Sequence, residues 1–285
     1  MLGQTNTNLK FIGKNFVYLF LGIVTISVIF PVFYCLMASF QSTRSILSEA
    51  RLIPENFVWQ NYSRAFVEAN FTRYTFNSVF ISTGCTVGNL LNSCIVGFCL
   101  ARSKMVGKKL IKWVILTFMF ISLGPMTLFP QIRVVLSLGI YRSIWSIILP
   151  GLGGLSMQAL VFEAYFKGQG MEIDEAAVID GCGFFGRFFK IGLPLSKPLL
   201  GTFAVINFNG SWNNFFWPYV LTFTNQKIQP LIVAVISLRD RLGEAATEWG
   251  LLLAGSTIAI IPVLILYIFT SKWIIKGVTE GSIKF

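Results

Sequence analysis

Six long apolar runs divide the chain, at residues 16–39, 76–100, 110–131, 144–165, 199–223 and 251–273, and polar segments separate them. Each holds about the 20 residues that an α-helix needs to cross a hydrocarbon core. The pattern predicts an all-α, polytopic membrane protein with six transmembrane helices. It divides into an N-terminal segment at residues 1–15, a six-helix domain at 16–275 and a C-terminal tail at 276–285, with a polar loop at 166–198 between the fourth and fifth runs. The first run is longer than the apolar part of a signal peptide. No small-x-small cleavage pattern precedes the polar stretch that follows it, so it is expected to stay as a membrane helix.

Composition agrees with that class. Hydrophobic residues make up 54% of the chain and charged ones only 12%, outside the range of ordinary soluble domains. The formal net charge is +11, and its placement sets the orientation. Lys10, Lys14, Arg102, Lys104, Lys108, Lys109, Lys167, Arg187, Lys190 and Lys197 all fall on the side that receives both ends of a six-span chain. Fewer basic residues, among them Arg44, Arg51, Arg64 and Arg73, fall on the other side. Basic loops stay in the cytoplasm, so both termini are expected there. The same residues favour anionic lipid at the membrane surface. Basic residues interleaved with aromatic ones occur nowhere outside this pattern, and nucleic-acid binding is not indicated.

Several chemistries are disfavoured. No G-x-x-x-x-G-K-S/T segment is present, so the chain carries no phosphate-binding loop of its own. The runs at 16–39 and 251–270 contain no Asp, Glu, Lys, Arg or His, whereas ion-coupled transporters keep buried acids as relay sites. The chain has no histidine and no C-x-x-C pair, which leaves neither a metal site nor a disulfide framework among its five cysteines. No cluster of acids, histidines or nucleophiles suggests an enzyme.

The loop at 166–198 is the exception to this apolar chain. Glu172, Asp174 and Glu175 open a short helix predicted over 173–180, where acids suit the positive end of the helix dipole, and Gly181 stands where a C-terminal glycine belongs. Ala176, Ala177 and Gly181 would give it a small-residue face for close approach by a partner. Phe184, Phe185, Phe188, Phe189 and Ile191 then recur at helical spacing opposite Arg187 and Lys190, and Leu193-Pro194 is expected to end this second helix. On these grounds the segment is either a docking surface or an interfacial hairpin that fills a loop.

The spacing Glu175-Ala176-Ala177, three residues, Gly181, nine residues, Ile191, one residue, Leu193-Pro194 resembles the EAA loop of bacterial ABC importer permeases at every position. Two details differ: Gly183 stands where Ser or Thr commonly caps the second helix, and Phe184 or Phe185 where Trp is usual. Phe208 to Pro218 is similar to the Trp-Asn-x-Phe-x-x-Pro stretch of the carbohydrate-importing branch. Lys276 to Lys284 is similar to the tail of the maltose-type, MalG-like permeases. Gln60-Asn61-Tyr62 and Trp249-Gly250 extend the resemblance over nearly the whole chain.

The resemblance implies a type I ABC importer permease fold in a bacterial cytoplasmic membrane. It implies that residues 173–194 couple the chain to a separate ATPase, through Glu175, Ala176, Ala177, Asp180, Gly181, Ile191, Leu193 and Pro194. The implied partners are a second, related permease, two copies of a cytoplasmic ATPase that binds ATP and Mg, and an extracytoplasmic solute-binding protein. The chain itself would hold no cofactor.

Sugars present apolar ring faces and hydroxyl edges. Asn209, Trp212, Asn213 and Asn214 combine aromatic and amide groups in the fifth run and are candidate pathway residues, although Trp and Asn at such depths also serve as interface anchors and cross-helix glue. Pro150, Gly151, Gly153 and Gly154 interrupt the fourth run, and such irregular backbone either lines a cavity or relieves packing. A neutral oligosaccharide is the expected cargo. The basic excess in the outer loops leaves an acidic saccharide or a sugar phosphate as the alternative. A channel, secondary transporter or membrane enzyme with a merely structural hairpin is the reading from another class.

Overall fold

The computed structural model describes residues 2–48, 51–67, 69–121, 124–152, 156–242 and 248–282. Among them all regular structure is helical. In chain order the α-helices are α1 (Leu2–Ala38), α2 (Thr43–Ser48), α3 (Gln60–Val67), α4 (Phe71–Arg102), α5 (Lys108–Phe120), α6 (Leu128–Ser137), α7 (Trp145–Gly151), α8 (Met157–Gly168), α9 (Glu172–Ile179), α10 (Phe184–Arg187), α11 (Leu193–Leu195), α12 (Lys197–Trp212), α13 (Phe216–Thr222), α14 (Leu231–Leu242) and α15 (Trp249–Ser282).

Three of the six apolar runs are continuous helices and three are broken. The first, second and sixth lie in α1, α4 and α15. The third divides into α5 and α6 around a 3-10 turn at Gly124–Thr127, where Gly124 has φ +43°. The fourth divides into α7 and α8; Pro150 sits in the last turn of α7, and Gly153 and Gly154 lie outside the described residues. The fifth divides into α12 and α13 at Asn213, whose backbone N–H closes the last turn of α12 on the Asn209 carbonyl while its side-chain Nδ2 donates to the same oxygen. Pro150 lacks the N–H that a continuous helix would use, and a side-chain amide such as that of Asn213 competes for a backbone acceptor. By length and composition, two described helices are long and apolar enough to cross a membrane, Val17–Ala38 and Phe71–Arg102. A third is reached if the bent pair 184–195 and 197–212 is one span.

The chain forms two compact units. The first comprises residues 1–70 and 237–258. Asn61, nearly buried, donates from Nδ2 to the carbonyls of Ser39 and Gln41, each at 2.9 Å. Gly250 approaches the same point so closely that a Cβ would lie 2.5 Å from the Gln41 oxygen and 2.6 Å from Asn61 Nδ2. Two short sequence motifs far apart in the chain therefore meet in one knot. Tyr62 Oη bonds Ser39 Oγ at 2.7 Å, and Arg64 pairs with Glu248 at 2.6 Å.

The second unit comprises residues 71–236 and 259–285. Here α4 packs along α7, α8 and α12. Glycines on α4 allow the approach: a Cβ on Gly88 would meet the Leu152 side chain at 2.0 Å, and one on Gly97 would meet Phe162 Cβ at 2.4 Å and the Ala159 carbonyl at 2.8 Å. In hydrocarbon, helices gain little from apolar burial alone, and such close backbone contact provides the packing instead. One end of the unit is an aromatic cluster in which Phe98 meets Phe166 edge-on at 5.3 Å and Phe188 at 5.4 Å, with Cys94 and Phe162 also buried.

Candidate functional site: a charged hairpin and an amide-lined cavity

The loop after α8 folds as two short helices joined by one turn. α9 carries Glu172, Asp174 and Glu175 in its first turn. Its end is a Schellman motif: Gly181 N–H bonds the Val178 carbonyl at 3.0 Å, and Cys182 N–H bonds the Ala177 carbonyl at 2.9 Å. This geometry needs the left-handed φ of +76° at Gly181, where a side chain would be strained although nothing lies within 4 Å of it. Gly183 caps α10 in an extended conformation with no side-chain bond of its own.

The two faces of α9 differ. Asp174 and Ala177 are buried, one turn apart on the inner face. Ile173, Glu175, Ala176, Val178, Ile179 and Asp180 are exposed, Ile179 at 86%. Phe185 and Phe189 on the second arm are also exposed, at 69% and 54%. The expected small-residue face is thus divided, with Ala176 and Gly181 outward and Ala177 inward. Leu193 packs on the aromatic cluster, Ile191 is half-buried and Pro194 is exposed.

The second arm does not stop at Leu193-Pro194. A π-turn at Phe188–Gly192 leads into α11, with Leu193 N–H bonding the Phe188 carbonyl, and the path continues to Leu195. There it turns by 76° into α12. Pro194 sits at the start of the short α11, where its missing N–H costs little.

Charges fasten the hairpin from within. Arg187 Nη1 donates to Asp174 Oδ2 at 2.7 Å. Arg102, from the last turn of α4, has its Nε 4.0 Å from the same oxygen, and its Nη2 donates to the carbonyls of Phe166, Gln169 and Gly170 at 2.8, 2.6 and 3.1 Å. A cation there also suits the negative end of α8. One turn earlier on α8, buried Glu163 pairs with Lys112 of α5 and, at 2.7 Å, with Lys167. The Glu163 hydrogen bond holds the Lys167 ammonium above its usual range.

Farther along the unit is a cavity of about 470 Å³. Its polar wall consists of Asn89 from α4, Gln131 from α6, and Asn207, Ser211 and Asn214 around the break in the fifth run, with the Trp217 ring beside them. Pro150 and Gly151 contribute the broken backbone of the fourth run. No Asp, Glu, Lys or Arg is among the lining residues. Asn207 is fixed by two reciprocal amide bonds to Gln158 of α8, at 2.7 and 3.1 Å. Such a surface offers donors and acceptors to hydroxyl groups and no charge to an anion.

Of the four candidates in the fifth run, Asn214 lines this cavity. Trp212 is 4% exposed, stacks on Phe208 at 5.8 Å and donates Nε1 to the Ala259 carbonyl at 3.2 Å. Asn209 and Asn213 are exposed and bond each other across one turn of α12 at 2.8 Å. Sequence reasoning missed Asn89, Gln131, Asn207 and Ser211, although 207, 211 and 214 stand at the i, i+4, i+7 spacing of one helix face. It also missed the pairing of Arg102 and Arg187 with Asp174.

Residues 93–279 match the family described as binding-protein-dependent transport system inner membrane component. The arabinooligosaccharides transport system permease protein AraQ of Halalkalibacterium halodurans is 33% identical over 260 residues, 90% of this chain and 91% of that one. The probable ABC transporter permease protein YurM of Bacillus subtilis is 28% identical over 281 residues, 96% of this chain and 90% of that one. A chain from the crystal structure of a bacterial ABC transporter involved in the import of the acidic polysaccharide alginate superposes with a TM-score of 0.78 at 21% identity, over 92% of this chain and 96% of that one, and so has the same fold. These relatives are transport permeases rather than enzymes. With its broken apolar helices, charged hairpin and shared fold, the chain is a membrane protein that belongs to the family of binding-protein-dependent transport system inner membrane components, the permease subunits of ABC importers.

Proposed function

We propose that the chain spans the bacterial cytoplasmic membrane six times, with both termini in the cytoplasm, and forms half of the pathway for a neutral sugar or oligosaccharide. The observation that carries this reading is the hairpin of residues 172–195. It turns an apolar and acidic surface outward on a glycine-dependent turn, in a chain with no phosphate-binding loop.

In this reading a separate cytoplasmic ATPase receives that surface. Ile173, Ala176 and Ile179 fill a cleft on it and Glu175 meets a basic residue there. Two copies of the ATPase bind ATP and Mg, one for this chain and one for a second, related permease. A solute-binding protein delivers cargo to the outer loops, and ATP-driven closure moves each hairpin and reverses the side on which the pathway opens. The uncharged amide wall favours hydroxyl-rich neutral cargo over an acidic saccharide or a sugar phosphate, which would need a cation at the wall. The broken fourth and fifth runs place backbone carbonyls and amides at depth, as transport pathways require. Residues 283–285 of the tail lie outside the described residues.

The test is reconstitution of the chain with the ATPase, second permease and binding protein of its own system. Gly181→Asp strains the turn and adds a charge to its tip, and is expected to lower copurification with the ATPase and sugar uptake more than tenfold. Unchanged uptake, or uptake by this polypeptide without an ATPase, rejects the reading.

A further inference from the structure

We propose that Arg102, Asp174 and Arg187 form a latch that makes the docking helix α9 and the cavity helix α4 move as one body. The proposal rests on the importer reading above and assigns these three residues a positioning role in coupling.

The geometry has three parts. First, Asp174 is on the face of α9 opposite the exposed docking residues, so a partner can hold Ile173, Glu175 and Ile179 without disturbing it. Second, its carboxylate is nearly buried between two guanidinium groups whose side chains are 6% and 16% exposed. One comes from α4 and the other from α10, so both arms of the hairpin are tied to a single point. Water competes poorly for such a site; the Arg187 bond to it is charge-assisted, and the Arg102 guanidinium at 4.0 Å adds an ion pair. Third, the Arg102 guanidinium that faces Asp174 also closes the end of α8 through three carbonyls. A load on α9 therefore reaches α4 and α8 together.

α4 is continuous from Phe71 to Arg102, and Asn89 of the cavity wall stands on it about 20 Å from Arg102, at about 1.5 Å of rise per residue. α8 joins the same wall through the Gln158–Asn207 amide pair. A loop tethered only at its ends would absorb the stroke of the ATPase by bending at Gln169 and Gly170. The latch prevents this, because the carbonyls of both residues are held by the same guanidinium.

Asp174→Asn keeps the size of the side chain and removes its charge, and Arg187→Gln removes the charge from the other arm with a shorter side chain. Reconstituted with their partner subunits in proteoliposomes, both are expected to copurify with the ATPase while importing about tenfold fewer solute molecules per ATP hydrolysed. Arg187→Lys keeps the charge and should recover most of that ratio. A ratio equal to wild type in Asp174→Asn overturns the latch, and so does loss of the ATPase from that variant, which would make Asp174 part of docking or folding. A wild-type chain that imports without any ATPase overturns the importer reading itself, an outcome separate from either of these.

Discussion

The hairpin and the cavity belong to the same helical unit, yet they arrange polar groups in opposite ways. The hairpin points carboxylates and large apolar side chains outward, and its inward charges are matched at contact distance by Arg102 and Arg187. The cavity points uncharged amides and a hydroxyl inward, and among the described residues its wall carries no formal charge. Under the proposed function the difference follows from what each must release. A docking surface stays with one partner through every cycle, so charge and apolar contact can be strong and its backbone held by a single glycine turn. A pathway must let its cargo go, which favours several neutral contacts, each weak enough to break.

The largest test of that contrast attacks the scaffold that the two regions share. Gly97→Leu drives a side chain into Phe162 and the Ala159 carbonyl, where no flexible atom can yield. The cost of such overpacking is about 3 kcal/mol or more, and the expected outcome is a subunit that no longer elutes as a folded monodisperse species in detergent. If it folds normally, the packing account of α4 is wrong. A smaller effect separates the two regions: Asn214→Asp puts a carboxylate on the cavity wall and is expected to raise the KM for a neutral sugar about tenfold in proteoliposomes, while the ATPase still copurifies. An unchanged KM would remove Asn214 from the pathway. The smallest effect is expected for Trp212→Phe, which loses the bond to the Ala259 carbonyl but keeps most of the ring. About 1 kcal/mol of stability should be lost, seen as a small drop in Tm, with the KM for sugar unchanged; a shifted KM would restore Trp212 as a contact.

Legibility in the sequence follows the range of the interactions. The hairpin was readable because its turn is local: acids at one helix end, Gly181 at the other and a fixed spacing to Leu193-Pro194 specify it within about twenty residues. The cavity was legible only in part, because its wall draws on α4, α6, α7 and the fifth run: an aromatic with neighbouring amides drew attention to Asn209, Trp212, Asn213 and Asn214, of which Asn214 lines the wall, and not to Asn207 and Ser211 one turn apart on α12. The apolar runs gave the right helix class and, through Pro150 and the glycines after it, the interruption of the fourth run, but not the breaks in the third and fifth. Hydropathy averages over residues such as Asn213, whose effect on the backbone is decided one hydrogen bond at a time. Arg102 read as one more basic residue near a membrane surface, since nothing in a one-dimensional pattern shows three carbonyls converging on it.

The 76° bend between α11 and α12 has a mechanical consequence. Two arms meeting near a right angle act as a bell crank, turning a push along one arm into a sideways swing of the other. The second arm, α12, has 16 residues and is about 24 Å long. A pivot of only about 5° at Ser196 moves its far end, near Ser211, by about 2 Å, comparable to the radius of a hydroxyl group with its hydrogen bond. In the proposed function a partner pressing on the hairpin need not travel far: the lever arm does the amplifying, and the cavity wall is what it moves.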